Sequence, residues 1–227
     1  MAGASARSEA VAEDVQLRIT EIFYSLQGET RTMGLPTVFV RLTGCPLRCV
    51  YCDTEYAFSG GELMNLQGVL DRVIAYRPAY VTVTGGEPLA QPNCLPLLSR
   101  LCDQGFEVSL ETGGAMSLEG VDERVVTVLD LKTPASGELA QNDYDNIGRL
   151  KPHDQVKFVL CDRADYEWAR FKLDEFALAD KVTDVLFSPS YEQLDATQLA
   201  EWILQDHLPV RLQLQLHKLL WHDAPGH

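Results

Sequence analysis

Basic residues are scarce in this sequence. There are 19 Lys and Arg against 33 Asp and Glu, and the net charge is −14. Such a surface repels a phosphate backbone, which argues against a nucleic-acid partner and leaves open only a local basic pocket. No apolar run reaches the ~20 residues that span a bilayer, so no membrane partner is expected. No segment repeats at a period of ~20–50 residues, which argues against solenoids and propellers. The opening stretch MAGASARSEAVAEDVQ lacks the apolar centre of a secretory signal, and its Ala, Ser and Glu content reads as a flexible tail over residues 1–16. Histidine is sparse too: His153, His207, His217, His222 and His227 all lie far in sequence from the cysteine group discussed below.

Hydrophobic residues make up 46% of the chain, enough to bury a sizeable core in a single domain over residues 17–227. Strand patterns cover 17–24, 37–42, 80–84, 106–111, 125–131, 155–160, 183–187 and 209–215. Helical spacing covers 66–76, 93–104, 163–177 and 196–206, the last with Asp195 as N-cap and Gln198 three residues on. Strands alternating with helices predict an α/β fold with a mostly parallel sheet. The helices are too few and the chain too short for a complete (β/α)8 barrel of ~250 residues. An incomplete (β/α)6-type partial TIM barrel is expected. Polar or glycine-rich groups follow most strands: Gly44-Cys45, Thr84-Gly85-Gly86-Glu87, Glu111-Thr112, Asp130 with Lys132, Ser188 and His217. In a parallel barrel such ends gather on one face, where loops build an active site.

Six cysteines would suit three disulfides, but the length and the missing signal favour a reducing, cytoplasmic setting. Cys94 and Cys102 fall on an apolar helical stripe and Cys161 ends the run VKFVLC, so these three read as core thiols. The stretch GCPLRCVYCDT is different. It places Cys45, Cys49 and Cys52 in a C-x3-C-x2-C loop. Three thiolates suit either a zinc ion with a distant fourth ligand or a 4Fe–4S cluster with one iron left open. Tyr51, before the last cysteine, is placed to shield such a cluster from water. Forty residues after Cys45, TGGEP at 84–88 offers a backbone strip at a strand end, suited to an ammonium group.

This pairing of motifs resembles the radical S-adenosylmethionine superfamily, whose members combine C-x3-C-x-aromatic-C with a GGE motif. Within it, YSLQGET (24–30), GLPTVFVRLTGC (34–45), CDTEYAF (52–58), LDLKTP (129–134) and HKLL (217–220) resemble the 7-carboxy-7-deazaguanine synthase family of queuosine-type deazapurine biosynthesis. The resemblance covers about residues 17–220. It implies conversion of 6-carboxy-5,6,7,8-tetrahydropterin to 7-carboxy-7-deazaguanine with loss of ammonia, started by a 5′-deoxyadenosyl radical, with S-adenosylmethionine regenerated. It implies that Cys45, Cys49 and Cys52 hold a 4Fe–4S cluster and that Gly85, Gly86 and Glu87 face S-adenosylmethionine. Lys132 and Ser188 are placed along the same cofactor, joined from their strand-end positions by Glu111 and Asp130. Leu26, Gln27, Gly28, Glu29, Thr84 and His217 are placed on the pterin. Arg41 is placed on the substrate carboxylate, where a bidentate contact suits arginine. Thr54 would offer its hydroxyl to Mg2+, with substrate and waters completing the shell. The family further implies a homodimer and an electron donor such as flavodoxin.

The chain departs from the family at Thr30, where members often have Gly, and at DLKTP, where some have SPK. It also extends past HKLL, so no terminal-carboxylate role is given to His227. The loop after the cluster motif is short. Two other readings compete: an activase that generates a glycyl radical on a partner protein, and a non-catalytic Fe–S or zinc module. The activase needs no LQGE, Arg41 and Thr54 set, and the module gives GGEP no task.

Overall fold

A computed structural model describes residues 15–222. Nine strands form one sheet, β1 (Gln16–Leu26), β2 (Pro36–Leu42), β3 (Glu62–Asn65), β4 (Tyr80–Gly85), β5 (Glu107–Thr112), β6 (Val126–Asp130), β7 (Gln155–Leu160), β8 (Asp184–Pro189) and β9 (Arg211–Leu212), in the order β3-β1-β2-β4-β5-β6-β7-β8-β9. From β2 to β9 every pairing is parallel. β1 runs antiparallel to both β2 and β3. The expected open, partial barrel is therefore present, with β2 as its first parallel strand and β1 and β3 added outside it. Residues 1–14 of the expected tail lie outside the described residues, as does His227. Gln16, placed in the tail by sequence, already belongs to β1.

The helices are α1 (Leu66–Ala75), α2 (Cys94–Asp103), α3 (Arg163–Glu175), α4 (Leu178–Lys181), α5 (Ala196–Gln205) and α6 (Leu216–Trp221). Their starts follow capping chemistry. Asn65 Oδ1 accepts from Gly68 N–H, Asp162 Oδ1 from Asp165 N–H and Asp195 Oδ1 from Gln198 N–H. Leu66, Val69, Leu70 and Val73 of α1 and Cys94, Leu97, Leu98 and Leu101 of α2 are buried at i, i+3, i+4, i+7 spacing. Each large apolar side chain so buried contributes about 1.5–3 kcal/mol. No α-helix joins β5 to β6, and only 3-10 turns (Pro134–Ser136, Leu139–Gln141, Tyr144–Arg149) lie between β6 and β7.

Alternation along the strands divides the sheet. Val38, Val40, Val81, Val83, Val108 and Leu110 pack outward on α1 and α2, and Leu129, Val156, Phe158, Val185 and Phe187 pack outward with α3 to α5. The intervening residues face inward and are largely polar: Arg41, Thr84, Glu111, Asp130 and Lys157. The hydrophobic core thus lies between sheet and helices, and the inner face is left for chemistry.

Two sequence readings change. The segment 209–215 forms only the two-residue β9, and its alternation instead leads into a strap, 213–215, and α6. Cys161 is half-buried just past β7, near Ser190 and Asp165, rather than a core thiol; Cys94 is fully buried as expected, whereas Cys102 is only partly buried, at the edge of the same core.

Candidate active site

The inner face encloses a cavity of about 460 Å³ lined by residues of β1, β2, β4, β5, β6 and β7, the 44–58 loop, the segment after β8 and the C-terminal strap. Arg41, Lys132, Lys157 and Lys218 line it together with Glu29, Asp53, Glu111 and Asp130. Four cations meet four anions, so the cavity does not share the strong negative charge of the chain as a whole. An anionic ligand is not repelled there.

One wall is the 44–52 loop. Gly44, at φ +100°, turns the chain out of β2, and its N–H donates to Ala57 O at 2.8 Å. Val50 N–H donates to Ser136 O at 3.0 Å, and Arg48 Nη1 donates to the carbonyls of Cys45 and Leu47. These bonds aim Cys45, Cys49 and Cys52 at the cavity. Burial raises all three thiol pKa values, that of Cys49 to about 11, and Cys45 and Cys52 add to the rise at Cys49. A tetrahedral zinc would need sulfur atoms within ~4 Å of each other. Among the described residues, the three cysteine sulfurs do not come within 4.8 Å of one another as a set. Among the described residues no fourth cysteine lines the cavity to cap a last iron.

Next to this wall runs Gly85-Gly86. A Cβ on Gly86 would sit 2.3 Å from Gly44 O and 2.7 Å from Cys45 Cβ, and one on Gly85 would sit 2.3 Å from Leu42 O. Gly86 N–H donates to Leu42 O and Glu87 N–H to Gly44 O. The glycines therefore let the cysteine loop lie against β4, and they also line the cavity. Glu87 is fully buried and turned away from it. Its carboxylate accepts from Leu89 N–H, Thr112 Oγ1 and Gly113 N–H, tying the ends of β4 and β5 together. Burial raises its pKa.

Deeper along the wall, Lys132 Nζ pairs with Asp130 Oδ2 at 3.0 Å. Burial disfavours the ammonium, but Asp130, Tyr51 and Cys49 outweigh it and raise its pKa. Among the described residues, Asp130 Oδ1 and the Tyr51 hydroxyl are buried without a partner. Both side chains line the cavity, and these orphaned polar atoms fit a polar ligand beside the thiols. Ser188 is buried on β8 but outside the lining, which Ser190 and Tyr191 reach instead.

The floor is the turn between β1 and β2. Gln27 Nε2 donates to Thr82 Oγ1 and to Glu111 Oε1, each at 3.1 Å, and Thr84 Oγ1 donates to Glu111 Oε2 at 3.0 Å. Glu111 is thereby grouped with the residues assigned to the pterin. Burial and the charge of Glu29 raise its pKa. Lys157, which the sequence reading missed, reaches in from β7 to pair with Glu29. Burial opposes the ionisation of Glu29, but Lys157 and His217, with a hydrogen bond from Gln215, hold its pKa down at about 2. Gly28 O accepts from Leu216 N–H, and a Cβ on Gly28 would lie 2.7 Å from His217 Nδ1. This close approach brings the strap over the floor. Leu26, on β1, also lines the cavity.

At the junction of floor, loop and strap, Glu29, Asp53 and His217 bring ligand atoms within 4.8 Å of one another. Thr54 Oγ1 donates to Asp53 Oδ1 at 2.8 Å, and Lys218 Nζ lies 3.5 Å from Asp53 Oδ2. The oxygen-rich set at Thr54 and Asp53 fits a hard cation such as Mg2+. On the opposite wall Arg41 Nε donates to Glu21 Oε1 at 2.7 Å.

The residues named from sequence thus converge on one cavity, with Glu87 and Ser188 behind its surface. Asp53, Lys157 and Gln215 were missed. Lys157 had a signal: a lone cation at an inward position of the apolar run QVKFVL.

The chain matches the Radical SAM superfamily over residues 39–130. It is 44% identical over 219 residues to a 7-carboxy-7-deazaguanine synthase of Koribacter versatilis, covering 90% of this chain and 97% of that one. It is 43% identical over 220 residues to the protein of the same name from Chlorobaculum tepidum, covering 95% and 100%. Its fold is similar to the crystal structure of QueE from Escherichia coli, with a TM-score of 0.73 over 95% of this chain and 99% of that one, at 23% identity.

Proposed function

Because the chain belongs to the 7-carboxy-7-deazaguanine synthase family of the radical S-adenosylmethionine superfamily, we propose how its cavity divides the work of turning 6-carboxy-5,6,7,8-tetrahydropterin into 7-carboxy-7-deazaguanine and ammonia. The observation that supports this reading most is the meeting, in one charge-balanced cavity, of a three-thiol wall and a Gln27–Glu29 floor. Cys45, Cys49 and Cys52 would hold the 4Fe–4S cluster, and Gly85, Gly86, Asp130 and Lys132 would hold S-adenosylmethionine beside it. Glu87 would act behind this strip, by fixing its backbone. Thr54, with Asp53 adjacent, would hold Mg2+. When bound, these groups supply the hydrogen-abstracting radical and a positive charge on substrate oxygens.

The protein's own side chains bind and orient. Arg41 takes the substrate carboxylate through charge-assisted bonds. Glu29, kept ionised by Lys157, accepts from N–H groups of the pterin, and Glu111 and Gln27 complete the polar floor. His217 and Lys218, brought in by the strap, cover the remaining side and exclude water. Holding the reacting hydrogen close to the cofactor is the main catalytic contribution open to such a cavity. The chain acts as a homodimer in the cytoplasm and takes its electron from a small redox protein such as flavodoxin.

The test is product identification. Protein purified anaerobically and reconstituted with iron and sulfide is supplied with reductant, S-adenosylmethionine, Mg2+ and the carboxy-tetrahydropterin. Mass spectrometry should find 7-carboxy-7-deazaguanine. Deoxyadenosine released only with a glycyl-radical partner, or zinc in place of a cluster, would overturn the reading.

A further inference from the structure

Arg41 is held in an unusual way for a residue meant to receive an anion, because a carboxylate already sits on it. Glu21 Oε1 accepts from Arg41 Nε at 2.7 Å and from the Tyr56 hydroxyl at the same distance. The arginine and glutamate side chains are only 15% and 23% exposed. The backbone is built for this contact. The ladder pairs Ile19 with Leu42 and then Glu21 with Arg41, skipping Thr20 on β1. In unbroken register Thr20 would face Arg41, and Glu21 would face Val40 on the core side. The bulge re-aims Glu21 to the inner face. Thr20 is instead bonded to Thr43 at 2.7 Å.

Aromatic rings complete the grip. The guanidinium carbon lies 5.7 Å from the Phe23 ring centroid and 5.8 Å from that of Tyr56, and Phe23 is stacked on Phe39 at 5.0 Å. Nε is therefore taken, the plane is flanked by rings, and Nη1 and Nη2 have no protein partner among the described residues. A lone arginine would attract an anion more strongly by charge alone. A fixed one presents its two end nitrogens in a single orientation and loses less side-chain freedom on binding.

We propose that Glu21 and Tyr56 are positioning residues that fix Arg41 so that its terminal nitrogens select a carboxylate on the substrate. This rests on the reading that Arg41 meets the substrate carboxyl. Tyr56 stands in the 3-10 turn Glu55–Phe58 directly after Thr54, so the same bond ties the carboxylate clamp to the loop that carries the cysteines.

The test is substrate binding and turnover by reconstituted protein, with the carboxy-tetrahydropterin and with tetrahydropterin lacking the carboxyl. Glu21→Ala should raise KM and Kd for the carboxylated compound about tenfold or more, with kcat at saturation within about threefold. Glu21→Gln should recover most of the loss, because its amide oxygen accepts both bonds. Tyr56→Phe, which removes one hydroxyl, should raise KM about two- to fivefold. None of the variants should change Kd for the compound without the carboxyl. An unchanged Kd for the carboxylated compound in Glu21→Ala, or equal losses for both compounds, refutes the clamp. Should Glu21→Ala fail to fold, Tyr56→Phe decides by the same comparison. Wild-type protein that binds neither compound refutes the functional reading instead.

Discussion

Substitution of Gly86 by Ala tests the link between the glycine strip and the cysteine loop. The new Cβ would sit 2.3 Å from Gly44 O, 2.7 Å from Gly44 C and 2.7 Å from Cys45 Cβ. Ordinary contact begins near 3.4 Å, so the two backbones must part by about 1 Å. Neither neighbour is the far end of a flexible side chain. The separation moves Cys45 itself and strains the Glu87 N–H bond to Gly44 O, now 2.8 Å. Overpacking of this kind costs about 1–3 kcal/mol, which a domain of this size survives. The effect on chemistry is larger, since a ~1 Å error in placement lowers rate by about 10²-fold. Gly86→Ala should fold, with a fall of only a few degrees in Tm. Its cluster should be labile and its deoxyadenosine formation about a hundredfold slower. Circular dichroism, iron and sulfide content and chromatography of the nucleoside measure the three quantities. A variant with full iron and turnover within threefold of wild type would refute the reasoning, because the loop would then not depend on the missing side chain.

Lys157→Met leaves Glu29 without its main partner. The native carboxyl, with a pKa of about 2 against an ordinary 4.5, contributes stability that is present above 4.5 and lost as pH falls toward 2. Without the lysine, burial raises that pKa, so the variant should lose about 3–5 kcal/mol at neutral pH and less near pH 5. Urea unfolding at the two values checks this, and an equal or larger loss at pH 5 would contradict it. Cys49→Ala should abolish cluster absorbance and turnover, whereas Cys94→Ala, at a fully buried site on α2, should keep both and lower stability by about 1 kcal/mol; equal effects would undo the sorting of the cysteines. Thr54→Ala should raise the Mg2+ concentration needed for half-maximal turnover, and an unchanged metal titration would remove Thr54 from that site.

The parallel strands β2 and β4 to β8 could be read in advance because each is a short run rich in Val, Leu, Phe or Thr, and α1, α2, α3 and α5 because their apolar residues keep one phase. β3 could not. ELMN has four residues, sits at the sheet edge and buries almost nothing, so it carries no pattern. The segment PVRLQLQ alternates like a strand, yet only Arg211 and Leu212 find a partner, on β8. The cysteine loop was legible from spacing, and the Gly-Gly strip from its place after a strand. Their mutual contact was not, because a glycine needed for close packing looks like a glycine needed for a turn. Glu21 was missed for a deeper reason. Its inward aim depends on a one-residue slip in register, and nothing in the LRITEIFY alternation marks where the slip falls.

The seam at Gly28 has a temporal consequence. Leu216 donates to Gly28 O, and Gln213 reaches the same carbonyl across 185 positions of chain. Contacts so remote in sequence form late, after the entropy of the intervening loop has been spent. On the ribosome the cysteine loop and β4 can meet once the first hundred or so residues are out. The strap bearing His217 and Lys218 arrives only near the close of synthesis. A nascent chain would therefore expose its thiol wall while one side of the basket still stands open, giving iron and sulfide carriers wider access than the finished molecule offers.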